Sequence, residues 1–231
     1  MSEWKKRGLL YVIEGPDWSG KDKQIELLEE AFIKRGYSVL KTREPGSEHN
    51  PICEKIRGIL VDKKNKSLSN LAELFLYIAD RAEHTENVIT PALERGDIVL
   101  TSRYEDSTNV YQGIVRGLGL DTTLKLNSMA TRGLKPNLKV YIKADAEKVY
   151  AKRGKGNLDR IEELGVEFQK KVMKGYLELA EKDSGSIKVV DYVDTSPDIQ
   201  KGIEQMHKNI YSIFNSHLEK YGKDLNRKLR V

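Results

Sequence analysis

Between a continuous apolar run, Leu9-Leu10-Tyr11-Val12-Ile13, and a helically spaced set, Ile25, Leu27, Leu28, Ala31 and Phe32, lies the segment Glu14-Gly15-Pro16-Asp17-Trp18-Ser19-Gly20-Lys21. The run reads as a strand buried on both faces, and the spaced set as a helix that Gly36 ends. A Gly-x-x-x-x-Gly-Lys spacing at a strand-to-helix junction is a phosphate-binding P-loop. Its glycines let backbone N–H groups converge on phosphate oxygens, and the helix N-terminus adds positive potential. Lys21 supplies a mobile point charge to the β- and γ-phosphates. Donor-phosphate contacts are therefore expected from Gly15, Pro16, Asp17, Trp18, Ser19, Gly20 and Lys21, with Asp22 and Lys23 opening the helix. The motif normally ends in Ser or Thr, whose hydroxyl ligates Mg²⁺; here that position is Asp22.

The rest of the chain alternates in the same way. Strands are expected at Val39-Leu40, Ile98–Leu100, Leu138–Ile142 and Ile187–Val190. Helices are expected at 52–60, 70–94, 107–132, 145–152, 162–181 and 197–215. Strands separated by helices imply parallel crossovers, so the fold class is α/β: a three-layer P-loop NTPase-type fold, a central parallel sheet with helices on both faces and a short lid. With 231 residues, no repeat and no linker, the chain reads as one domain spanning 1–231, with the lid at about 152–160 and a basic, solvated tail at about 217–231. The helix around Leu71, Leu74, Phe75, Leu76, Ile78 and Ala79 is apolar around much of its circumference. Either a central core position or a subunit interface accounts for it.

Composition excludes several classes. No run of eighteen apolar residues occurs, so no membrane span or secretory signal is expected. Cys53, the single cysteine, reads as a small core residue, and its solitude fits a reducing, cytoplasmic setting. The four histidines show no metal-ligand spacing. A net charge of +5 suits an anionic ligand, but no motif for specific nucleic-acid binding accompanies it.

Beyond the P-loop, several segments occur in an order that resembles the thymidylate kinase (dTMP kinase) family of P-loop nucleoside monophosphate kinases. Thr42-Arg43-Glu44-Pro45-Gly46 is similar to that family's second-strand motif, and Ala72–Arg81 to its substrate helix. Arg103-Tyr104, Ser107-Thr108 and Tyr111-Gln112-Gly113 resemble the signature after its third strand. Leu158–Glu162 and Gly175–Ala180 resemble its lid and the helix that follows. The resemblance implies ATP-dependent phosphorylation of dTMP to dTDP, with Mg²⁺ as cofactor, in a cytoplasmic homodimer. Tyr77 would stack on thymine, at a position where the family usually has Phe. Arg81, one turn along the same face, and Arg103 would hold the acceptor phosphate. Ser107 and Thr108 would support and meet the base edge, with Gln112 beside them, and Tyr111 would pack on the deoxyribose. Asp17 would serve near the acceptor's sugar and phosphate. Lys21, Arg103, Asp17 and a lid cation would be catalytic; Arg153 is the first candidate for that cation, followed by Lys155 and Arg160. Asp194–Pro197 would form the adenine-side loop or cap a helix.

The chemistry has its own logic. An acceptor phosphate is largely ionised near pH 7, its second pKa being about 6, so no general base is needed. The difficulty is bringing two polyanions together, which positive groups and Mg²⁺ must overcome by positioning and charge stabilisation. Two polar positions depart from the family pattern: Asp22 replaces the P-loop hydroxyl, and Ser102 replaces an acid at the third strand's end. One hydroxyl and one carboxylate remain, exchanged, so Asp22 and Ser102 are the expected metal ligands. Two alternatives are a nucleotide-binding protein that has lost productive metal binding through Asp22 and Ser102, and a kinase for a related acceptor such as dUMP.

Overall fold

The computed structural model describes residues 8–151, 158–195, 198–223 and 225. Five parallel strands form one sheet in the order β2-β3-β1-β4-β5: β1 Leu9–Glu14, β2 Val39–Arg43, β3 Ile98–Ser102, β4 Leu138–Lys143 and β5 Ile187–Asp191. β1 is central, and its residues divide by parity. Leu9, Tyr11 and Ile13 enter one core with Ile25, Leu28 and Phe32 of α1 (Lys21–Lys34) and with Met206, Ile210 and Phe214 of a long C-terminal helix. Leu10 and Val12 enter another, with Ile89, Ala92, Leu93 and Tyr104. A strand sandwiched between two helical layers must be apolar at every position, which is why β1 reads as an unbroken run.

The remaining helices are α2 (Pro51–Val61), α3 (Asn70–His84), α4 (Thr90–Arg95), α5 (Glu105–Thr108), α6 (Leu120–Ala130), α7 (Ala146–Ala151), α8 (Gly165–Lys182) and α9 (Ile199–Tyr221). α2 starts where Asn50 accepts from the amides of Ile52 and Cys53, with Pro51 in its first turn. Asp159 and Glu162 close a reciprocal box before α8, each side chain accepting the other's backbone N–H.

Several expected boundaries are corrected. The helix expected over 70–94 is borne out, running unbroken from α3 through a wide π-helical turn at Thr85–Ile89 into α4. That expected over 107–132 passes through a second π-helical stretch, Asn109–Val115, then breaks before α6 at Gly119. β2 opens at Val39-Leu40 as expected and runs to Arg43, its pairing with β3 carrying polar Lys41, Thr42 and Arg43 into the ladder. The solvated tail from 217 is also corrected: residues 217–221 continue α9, Leu218 is in the core, and His217 Nδ1 bonds the Tyr11 hydroxyl at 2.9 Å. On α3, Leu74 is buried whereas Leu71 and Phe75 are 51% and 52% exposed, so that helix is not central in the core. Cys53 is fully buried, its thiol pushed up by burial.

Candidate active site

β1 has β3 on one side and β4 on the other, and the chain crosses between those sides after β3. The crevice beyond the carboxyl ends of such strands is where open α/β sheets bind ligands. Here it is a cavity of about 490 Å³. Its lining includes Asp17, Trp18, Gly20, Lys21, Asp22 and Lys23 from the P-loop side and Tyr77 and Arg81 from α3. Ser102, Arg103, Ser107, Thr108, Tyr111 and Gln112 line it from the far side of β3. Segments from 17 to 112 in sequence thus converge on one space.

The P-loop is drawn tight by its own side chains. Ser19 Oγ and Lys21 Nζ both donate to the Pro16 carbonyl, at 2.8 and 2.7 Å. At Gly15 (φ 148°) a Cβ would stand 2.9 Å from the Ile142 carbonyl, so only glycine lets the loop pass β4. Trp18 holds a left-handed φ of 59° without being glycine, and its ring meets Tyr150 of α7 edge-on at 5.3 Å. Burial depresses the Lys21 ammonium, down to about 8, with Arg103 adding to the effect. Burial pushes the Asp22 carboxyl up, but Lys21, a hydrogen bond from Ser102, Arg103 and Arg43 more than offset this and leave it below the usual range. The exchanged pair is therefore adjacent: the first residue after the P-loop lysine and the last residue of β3 both line the cavity, and Ser102 helps to lower the Asp22 carboxyl.

Arg103 is also left-handed, φ 69°, and its guanidinium is ringed by acceptors. NH1 donates to Ser107 Oγ at 3.0 Å and to the Tyr176 hydroxyl at 3.3 Å. NH2 donates to Tyr111 Oη at 3.1 Å and pairs with Asp17 Oδ1, and the group lies 5.1 Å from the Tyr111 ring centroid. Strained backbone at a ligand cavity is kept only where surrounding structure enforces it. The enforcing group is Glu14, fully buried at the end of β1. Its carboxylate accepts from the amides of Tyr104 and Ser107 and from the hydroxyls of Ser107 and Tyr176. Burial raises its pKa, with Arg103 opposing.

Arg81 is corrected. Its guanidinium is 1% exposed. NH1 donates to Thr108 Oγ1 at 2.8 Å and Asn127 Oδ1 at 2.7 Å; NH2 donates to the Tyr104 carbonyl and pairs with Glu44 Oε2 at 2.7 Å. Arg81 thus sits on the Thr108 side of the cavity, and Arg103 on the P-loop side beside Asp17. Arg160 is corrected too. It is 7% exposed, Nε donates to the Leu60 carbonyl at 2.7 Å, and NH1 pairs with Glu73 at 2.7 Å. It anchors the segment before α8 to α2 and α3 rather than reaching into the cavity. Gln112 likewise gives its amide nitrogen to Glu73 at 2.9 Å. Tyr77 borders the cavity, its hydroxyl raised by burial and by Glu73. Arg153 and Lys155 lie outside the described residues, as do Ser196 and Pro197. Asp198 caps α9 by accepting from the Lys201 amide.

Sequence reasoning missed the supports: Glu14, Glu44, Glu73, Gln169 and Tyr176. Two carried a signal. Glu14 is an acid closing a fully apolar strand, and Glu73 is an acid inside an apolar helix, and both are fully buried. The Glu44–Pro45 peptide, between β2 and α2, is cis. Among the described residues no group of three or more His, Cys, Asp or Glu side chains could hold a metal, and no helix is long and apolar enough to cross a membrane.

The same arrangement of segments occurs in known proteins. A family model described as Thymidylate kinase matches residues 13–210. A thymidylate kinase of Thermoanaerobacter sp. (strain X514) is 38% identical over 212 residues, covering 92% of this chain and all of that protein. One from Caldanaerobacter subterraneus subsp. tengcongensis is 43% identical over 173 residues, covering 75% of this chain and 82% of its own. The crystal structure of thymidylate kinase from Ehrlichia chaffeensis superposes with a TM-score of 0.71 at 26% identity, covering 90% of this chain and 98% of that one. With a family match over most of its length and relatives of this identity and coverage, the chain belongs to the thymidylate kinase family.

Proposed function

We propose that the protein transfers the γ-phosphoryl group of ATP to dTMP, giving dTDP and ADP. The observation that carries this is the convergence of the P-loop Lys21, the Tyr77 ring and a second cation, Arg103, on one cavity. The P-loop amides and Lys21 hold the donor phosphates. Tyr77 stacks on the base, Thr108 meets its edge, and Tyr111 packs against the deoxyribose. Arg103 draws in the acceptor phosphate, whose ionised oxygen attacks in line without a general base. Asp17 orients Arg103 from the P-loop, and Arg153 supplies the lid cation.

Mg²⁺ neutralises charge on the β- and γ-phosphates when bound. The donor chemistry here suits it: a carboxylate and a hydroxyl, Asp22 and Ser102, meet at the P-loop end of β3, and such sites leave most positions to water and phosphate. One five-stranded sheet with its helices supports a single kinase domain, working in the cytoplasm as a homodimer. The exposed Ile52 and Ile59 of α2 and Leu71 and Phe75 of α3 support that assembly.

The test is ADP release with ATP and Mg²⁺ against dTMP, dUMP, UMP and thymidine in parallel. Turnover with dTMP ahead of the others, and none with thymidine, is expected. ATP binding without turnover of any acceptor would instead mark a nucleotide-binding protein without catalysis.

A further inference from the structure

α8 carries no residue of the P-loop or of the acceptor signature, yet it grips the Asp17–Arg103 pair at both ends. Gln169 and Tyr176 are seven residues apart, two helical turns, and so share a face. Tyr176 reaches Arg103 NH1, Ser107 and Glu14. Gln169, 1% exposed, makes a reciprocal pair with Asp17: its Oε1 accepts from the Asp17 amide at 3.2 Å, and its Nε2 donates to Asp17 Oδ2 at 2.7 Å. Asp17 is left with one oxygen, Oδ1, for Arg103.

That division matters because a carboxylate and a guanidinium left to themselves favour a two-pronged pair, which occupies both partners' best-oriented groups. An incoming phosphate would then have to displace an internal anion from the arginine fork. We propose that Gln169 is a positioning residue that restricts Asp17 to a single-oxygen contact with Arg103, so that the other guanidinium N–H groups are held by the neutral hydroxyls of Ser107, Tyr111 and Tyr176, which an acceptor phosphate can displace. The inference rests on the reading of Arg103 as the acceptor-phosphate cation.

Two variants test it. Gln169→Leu removes both bonds and frees Asp17 Oδ2 to turn onto Arg103. The KM for dTMP should rise about ten-fold, the scale of a hydrogen bond to a charged group, with kcat changed far less. Gln169→Glu reads the geometry itself. Protonated, its carboxyl has one O–H donor and one C=O acceptor and can repeat both of glutamine's bonds. Ionised, it sets a second carboxylate against Asp17. Besides Asp17 the charged groups around the position are Arg103, with Lys21 and Glu162 interacting at longer range.

The ratio of the Gln169→Glu KM for dTMP to that of the wild type should therefore approach one near pH 5.5 and climb as the pH rises to 8. The corresponding Gln169→Leu ratio should stay flat. A merely structural role predicts no such divergence. A flat ratio for Gln169→Glu, or an unchanged KM for Gln169→Leu, overturns the proposal. Should Gln169→Leu fail to fold, the nearly isosteric Gln169→Glu decides alone, with its melting followed by circular dichroism at each pH. Wild-type turnover in the same assay separates the two ideas. An inactive wild type ends the functional reading, whereas an active wild type with a flat ratio ends only this inference.

Discussion

Single side chains set local electrostatics, and the Asp22–Ser102 pair and Asp80 make separable predictions. Asp22 and Ser102 place a carboxylate and a hydroxyl at the positions where P-loop proteins place a hydroxyl and a carboxylate, and Ser102 helps to lower the Asp22 carboxyl. Asp22→Thr alone leaves two hydroxyls, and Ser102→Asp alone sets two carboxylates against each other. The double variant restores one of each, so it should retain more Mg²⁺-dependent ADP formation and more nucleotide-dependent Mn²⁺ binding than either single variant. Additive losses in that double-mutant cycle would show that the residues act independently. Asp80 is a different case. Burial, with Glu44 adding to it, pushes its carboxyl up to about 6, against about 3.9 unfolded. Between those values the folded chain holds the extra proton, so this residue's contribution to stability falls as pH rises from about 4 to 6 and stays lost above. Asp80→Asn removes that dependence. Its urea midpoint relative to wild type should rise across this interval, and a constant difference would contradict the assignment.

At the scale of elements, the site depends on how closely α8 approaches the π-helical stretch Asn109–Val115. Gly175 is the point of contact: a Cβ there would stand 2.9 Å from Val110 Cγ1. Val110 is fully buried and next to Tyr111, so it has little room to yield. Gly175→Ala should destabilise the fold by about 1–3 kcal/mol, measured by denaturant unfolding, through overpacking. Because Tyr176 and Gln169 ride on the same helix, the KM for dTMP should rise with it; stability loss with unchanged kinetics would separate the packing from the site. The long-range pairings explain why such supports escape a sequence reading. Gln169 bonds Asp17 across 152 positions, and Tyr176 bonds Glu14 across 162. Periodicity reports which face of α8 is apolar, but not which loop a polar residue on that face will meet.

For the whole molecule, the open question of α3 becomes one of assembly. Leu71 and Phe75 lie one turn apart on one face, and Ile52 and Ile59 lie two turns apart on α2, all outward-facing. Exposed large apolar side chains on two helices packed against each other suit an interaction site. Phe75→Glu should shift the proposed dimer to monomer in sedimentation equilibrium while the monomer stays folded; an unchanged mass would place any interface elsewhere.

The order of strands and helices, the P-loop and the residues that ring the cavity were legible because each is encoded locally: a buried strand is apolar throughout, and a phosphate loop needs its glycines and lysine at set spacings. The internal partners of Arg81 and Arg160 were not. A basic residue facing a ligand and one neutralised inside a wall look the same in sequence, and only their partners distinguish them: Glu44, Thr108 and Asn127 for Arg81, Glu73 and the Leu60 carbonyl for Arg160. Those partners come from other elements brought near by the sheet, so packing alone decided which acceptors hold each charge and that Arg81 borders the cavity while Arg160 does not.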